Sequence, residues 1–188
     1  TCTDSVAEAR EIDAWFTDVR AYLATLEAPA YPYPIDAELA AEGEKLFKAE
    51  CTECHGRYGR IERYPNELIA LDEIGTDPAM AEAAYRHADR FARWFNASFY
   101  GRNAETMPGL GYVAPPLDGV WATAPYLHNG SVPTLAALLK SEERPTYWRF
   151  ASAEPEYDRE ALGWRVEALE QGREQFGSLD ERKWVYDT

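Results

Sequence analysis

Cys51-Thr52-Glu53-Cys54-His55 sets two thiols three positions apart and an imidazole directly after the second. This is the attachment pattern of c-type haem. Two intervening residues let both sulfurs reach the two vinyl groups on one edge of a porphyrin. The adjacent histidine then falls beneath the iron as its proximal ligand, through Nε2. The expected cofactor is therefore one haem c, covalent through Cys51 and Cys54, with His55 on the metal. Other uses of a cysteine pair fit less well. Structural zinc wants a second Cys or His pair at ligand spacing, whereas Cys2, His87 and His128 are scattered. A thioredoxin-like redox pair wants a strand before the motif, and the pattern before this one is helical. An iron–sulfur cluster usually takes four thiolates, and the chain has three cysteines. The leftover Cys2 reads as a free thiol or as half of an intermolecular disulfide.

A sixth iron ligand has three candidates: Met107, His128 and His87. Met107 is a soft thioether in the loop Thr106-Met107-Pro108-Gly109, and Met opposite His raises the potential of a haem. His128, in Ala124-Pro-Tyr-Leu-His-Asn-Gly130, reads as a hydrogen-bonded or haem-edge histidine. His87 sits among charged residues on a helical pattern and reads as exposed. A water-bound or externally supplied sixth position stays open. Arg57, Arg60, Arg90 and Arg93 are candidates for the haem propionates, because a guanidinium binds carboxylate bidentately and keeps its charge when partly buried; solvated surface is the alternative for each. Trp94, Trp121 and Tyr126 are candidates for lining the haem or relaying electrons, against ordinary core packing.

The elements that must position these groups read as helices and loops. Apolar residues recur at helical spacing over 4–27, with Ser5 and Glu8 placed for a capping box. Pro29, Pro32 and Pro34 impose an extended linker. Asp36 caps a helix over about 37–50 that runs into the cysteine pair, with Gly43 and Phe47 suited to close packing. Asp77-Pro78 starts a helix reaching about Tyr100. Residues 101–130 read as ordered Gly/Pro-rich loop, and Ser131 opens the short apolar helix at 135–139. Leu162, Val166, Leu169 and Phe176 predict a helix over 158–176. No strand alternation stands out. The expected fold is all-α, a cytochrome c-like helical domain with long ordered loops, divided into an N-terminal helix with its Pro-rich linker (1–35) and a haem domain (36–188).

The chain has 188 residues, 19 Lys+Arg and 33 Asp+Glu, for a net charge of −14. So acidic a chain repels polyanions, which argues against nucleic-acid partners. No apolar run is long enough to span a bilayer, and no signal-peptide pattern is present. The start at Thr1 reads as a mature or truncated product. Haem c implies a periplasmic or extracellular location and a redox partner protein, either separate or a second haem domain or subunit. Charge is uneven. Arg86, Arg90, Arg93 and Arg102 cluster in one stretch, and Arg57, Arg60 and Arg63 follow the motif. The expectation is an acidic exterior around a locally positive haem site.

Gly111-Tyr-Val-Ala-Pro-Pro-Leu-Asp-Gly-Val-Trp-Ala-Thr-Ala-Pro-Tyr-Leu-His-Asn-Gly-Ser-Val-Pro-Thr-Leu135 resembles the C-terminal haem half of the bacterial dihaem cytochrome c peroxidase superfamily, in the branch of the rubber oxygenases. Tyr64-Pro-Asn-Glu-Leu-Ile-Ala-Leu-Asp-Glu-Ile-Gly-Thr-Asp-Pro78 resembles the same branch. The resemblance implies two haems per protein, one moving electrons and one binding peroxide or oxygen; a single Cys-x-x-Cys-His supplies half of that. It maps Cys51, Cys54 and His55 onto the haem-binding residues of the second domain. Two departures concern the sixth ligand. The peroxidases' distal Met position falls near Glu142, and the oxygenase-like branch places its distal His in a Gly/Asn-rich stretch that would begin about at Tyr186-Asp187-Thr188. The resemblance thus leaves two functions, an electron-carrying cytochrome domain or the haem half of a peroxidase or oxygenase.

Overall fold

Ser5 caps the first helix, α1 (Val6–Leu23), its Oγ accepting the Glu8 N–H at 3.1 Å. The computed structural model describes residues 3–59, 63–102 and 104–188, so Cys2 and Arg60 lie outside the described residues. Two compact units divide the chain: Thr1–Ala28 with Pro34–Pro116, and Pro29–Tyr33 with Leu117–Thr188.

In the first unit Asp36 begins α2 (Ala37–Glu50), its Oδ1 accepting the N–H groups of Glu38 and Leu39, both at 3.0 Å. Two of the helix's orphan donors are thereby satisfied. One further turn, α3 (Thr52–His55), ends at Gly56, where φ is +85°. A side chain there would collide with the Arg63 carbonyl, so glycine permits both the turn and the close approach. The chain then doubles back, Arg57 and Arg63 exchanging backbone hydrogen bonds of 2.8 and 3.0 Å. Next come β1 (Leu68–Ala70), α4 (Leu71–Ile74) and α5 (Ala79–Ala97). Asp77 holds the start of α5, its Oδ1 accepting the Ala79 N–H at 2.9 Å. The strand β2 (Gly111–Val113) returns antiparallel to β1 with Ile69 opposite Tyr112. Gly111 has no room for a Cβ against the Ile69 backbone carbonyl. The Tyr112 hydroxyl donates to Asp77 O at 2.9 Å and accepts from the Ala81 N–H at 3.1 Å, which fastens β2 to the first turn of α5.

The second unit holds α6 (Leu135–Leu139), β3 (Tyr147–Phe150), β4 (Tyr157–Asp158), β5 (Gly163–Trp164), β6 (Val166–Leu169), α7 (Leu179–Arg182) and β7 (Tyr186–Asp187). Strand β3 is central in an antiparallel sheet of order β6-β3-β7, and β4 pairs with β5. Trp148 and Val132 are wholly buried. The Trp148 indole stacks on Tyr186 with centroids 4.2 Å apart, and its Nε1 donates to Ser131 O at 2.6 Å. The Pro-rich segment joins this unit: Trp121 Nε1 donates to Pro29 O at 2.8 Å, and the Arg159 guanidinium lies 4.0 Å over the Tyr33 ring.

The expectation of an all-α fold is corrected. Among the described residues the protein is mostly helical, at 42% helix in seven helices, with small antiparallel sheets. The helix expected over 158–176 is absent; strands and turns occupy that stretch. Leu162 sits at φ +55°, outside helical backbone, and Gly163 lies so close to the Pro133 carbonyl that a Cβ would collide with it. Leu135 N–H donates to Leu162 O at 2.8 Å, and Trp164 N–H to Pro133 O at 3.1 Å. Tertiary pairing with 133–135 therefore overrides the helical spacing of the apolar residues.

Candidate haem site

Cys51 lies at the joint between α2 and α3, at φ −117°, its N–H still bonded to Phe47 O at 2.9 Å. His55 N–H in turn bonds to Cys51 O at 3.0 Å, so Cys54 and His55 ride on the one turn that follows. Cys51 and Cys54 are both half-buried free thiols, three positions apart. Burial pushes the Cys54 thiol above its ordinary pKa, and the carboxylates of Glu73, Glu53 and Glu67 add to the shift.

The half-buried His55 ring turns its Nδ1 to the Pro115 carbonyl, 2.9 Å away. A carbonyl only accepts, so Nδ1 carries a proton, and in the neutral ring Nε2 is the nitrogen with a lone pair for a metal. This is the outer hydrogen bond that orients histidine ligands. Its acceptor is fixed in turn. The Tyr64 hydroxyl donates to Ala114 O at 2.5 Å, Ala114 is buried, and β1 pairs with the strand that leads into it. Sequence reasoning missed Tyr64 and Pro115 as members of the site. Pro115 contributes only a backbone oxygen, whose position depends on the β1–β2 register.

The apolar residues of this unit accord with a porphyrin. Among the described residues its buried apolar side chains are alanines (Ala9, Ala81, Ala92 and Ala114), while Leu46, Phe91, Trp94 and Met107 stand more than half exposed. The unit thus presents apolar surface of the kind a haem's faces would cover. Among the described residues no three His, Cys, Asp or Glu side chains converge on a cation position. Beside the motif opens a cleft of about 390 Å³ lined by Glu44, Phe47, Lys48, Thr52, Arg57 and Tyr58.

Met107 is 80% exposed. The residue before it is clamped: Asn96 Nδ2 donates to Thr106 O and Asn96 Oδ1 accepts the Thr106 N–H, both at 2.9 Å. Arg57, Arg90 and Arg93 are exposed, and the ion pairs formed among the described residues do not include them. His87 is exposed on α5, as is Trp94, whose indole neighbours Phe91 at 5.7 Å. These groups and the motif all belong to the first unit. His128, Trp121 and Tyr126 belong to the second. His128 is half-buried in the turn where Gly130 N–H meets Leu127 O. Tyr126 is buried as core, its hydroxyl 3.2 Å from Val120 O and 3.1 Å from Leu162 O. Burial first, and then Tyr157, push its pKa up to about 12. The close packing expected at Gly43 is not made within the described residues, since nothing lies within 4 Å of a Cβ built there. The Gly43 face of α2, with Leu39 and Leu46 exposed, has open space beside it.

No helix of the described residues is long and apolar enough to cross a membrane. The chain is similar to two uncharacterized proteins of Sinorhizobium fredii (strain NBRC 101917 / NGR234). It is 35% identical to y4iM over 85% of its own length and 33% identical to y4iJ over 73%. It spans less than half of either relative, the matches covering 41% and 32% of them. Residues 111–149, which begin with β2 and include Pro115, match the family described as RoxA-like, cytochrome c-like.

Proposed function

We propose that this chain is a c-type cytochrome domain that binds one haem and passes electrons. Cys51 and Cys54 would hold the porphyrin through thioethers, and His55 would supply the proximal nitrogen. When bound, the haem supplies a one-electron ferric/ferrous couple. The protein's part would be to hold His55 in one tautomer, to exclude water with the apolar side chains of the first unit, and to offer the Met107 thioether as a second ligand. Arg57, Arg90 and Arg93 are available cations for the propionates. The observation that carries the reading is the His55 Nδ1–Pro115 O hydrogen bond. It leaves Nε2 free, on the residue that follows the two thiols.

The reading includes an extracytoplasmic location, where c-type haem is attached, and a protein redox partner. The test is expression with a c-type maturation system, followed by haem staining of the denatured chain and near-infrared magnetic circular dichroism. Expected are a covalent haem, its loss in Cys51→Ala with Cys54→Ala, and a His/Met signature. A wild-type chain without covalent haem overturns the reading.

A second function, the haem half of a peroxidase or oxygenase, is favoured by the RoxA-like match at 111–149 and by relatives more than twice as long as the chain. Rapid carbon monoxide binding to the reduced protein together with peroxide turnover would select it.

A further inference from the structure

We propose that Asn96 is the positioning residue of Met107, a proposal that rests on the reading of Met107 as an axial ligand. The observation is a two-way amide clamp. Asn96, in the last turn of α5, gives its Nδ2–H to Thr106 O and takes the Thr106 N–H on Oδ1, each at 2.9 Å. Both polar groups of one peptide residue are thus engaged by one side chain, as a neighbouring strand would engage them. Asparagine carries a donor and an acceptor in one plane. Aspartate keeps only the acceptor, and alanine keeps neither.

Thr106 is the residue before Met107. On the far side, Gly109 lies against the Leu68 side chain, closely enough that a Cβ would come within 2.5 Å of Leu68 Cδ2. Gly111 then enters the β1–β2 pair opposite Ala70. Residues 107–110 therefore form a four-residue span between the clamped Thr106 and the paired Gly111, and Pro108 has a locked φ. Within that span the Met107 side chain is 80% exposed. The backbone that carries the thioether is thereby restrained in advance, and such restraint raises the occupancy of a weak ligand. Released from the clamp, the same thioether competes less well with small external ligands.

The test compares Asn96→Ala, Asn96→Asp and Met107→Ala in the haem-loaded chain. Asn96 is exposed on a helix, where alanine is well tolerated. The readouts are the Met–iron charge-transfer band in the far red and the affinity of the ferric protein for imidazole. Met107→Ala is expected to abolish the band. Asn96→Ala is expected to weaken it and to tighten imidazole binding about tenfold, a change of about 1.4 kcal/mol; Asn96→Asp should fall between. In the haem-free chain, Thr106 amide exchange should quicken in Asn96→Ala. If Met107→Ala removes the band while both Asn96 variants leave imidazole affinity and band unchanged, the positioning role is overturned and the ligand reading stands. If Met107→Ala leaves the band intact, or the wild type has none, both fall.

Discussion

His55 and Pro115 stand sixty residues apart in the chain and meet at 2.9 Å, imidazole Nδ1 to backbone oxygen. That contact couples the turn that ends the haem motif to the irregular segment after β2. It also makes the basicity of the imidazole depend on how firmly the 114–115 backbone is held.

Tyr64→Phe tests that dependence. The substitution deletes the hydroxyl bond to Ala114 O and leaves the ring in place. The expected cost is about 1 kcal/mol, read by chemical denaturation. In the haem-loaded chain the reduction potential should rise, because a slackened Nδ1–H bond donates less electron density toward the metal. Potentiometry checks the direction.

Gly111→Ala should separate β1 from β2. Its Cβ would collide with the Ile69 carbonyl, a backbone atom that cannot swing aside. A loss of about 1–3 kcal/mol is expected for such overpacking, together with reduced haem incorporation, measured as haem per chain by pyridine haemochrome.

Gly43→Ala should do the opposite in the haem-free chain. Nothing lies within 4 Å of the added methyl, and a mid-helix Gly→Ala change favours the helix by about 0.5–1 kcal/mol. A rise in thermal midpoint is expected. A fall would mean that another surface covers this face in solution.

Tyr126 gives the second unit an alkaline limit. Its phenol is buried, and the folded pKa of about 12 lies above the ordinary value of 10. Folded protein therefore keeps the proton where unfolded chain has lost it. The stability tied to this group is complete below pH 10 and drains away as pH rises through 12. Denaturation at pH 9 and pH 11.5 should show the loss in the wild type and a smaller one in Tyr126→Phe.

Trp148→Ala should cost about 3–5 kcal/mol. It removes a wholly buried indole, its stack on Tyr186 and its bond to Ser131 O. The readout is the denaturation midpoint of the intact chain.

The motif and the longer helices were legible because their signals are local. Asp36 and Asp77 accept backbone N–H groups within three residues of themselves, and the Cys-x-x-Cys-His spacing carries its own geometry. The strands were not legible, because stretches of two to four residues are too short to show alternation. The spacing of Leu162, Val166 and Leu169 looks helical until the backbone of Pro133 and Thr134 crowds Gly163, an encounter between segments distant in sequence. Within the site the same division holds. The side-chain donors could be named in advance, whereas the Pro115 carbonyl and the Asn96–Thr106 clamp depend on where the loops return.

The small alanine interior of the first unit, set beside its outward-facing Leu46, Phe91 and Trp94, bears on how the protein is made. On the proposed function, the porphyrin would cover apolar surface that the chain's own core leaves open. Loading would then add stability to a unit that already holds its helices and its strand pair. Resistance to proteolysis would rise with the fraction of chains that carry haem.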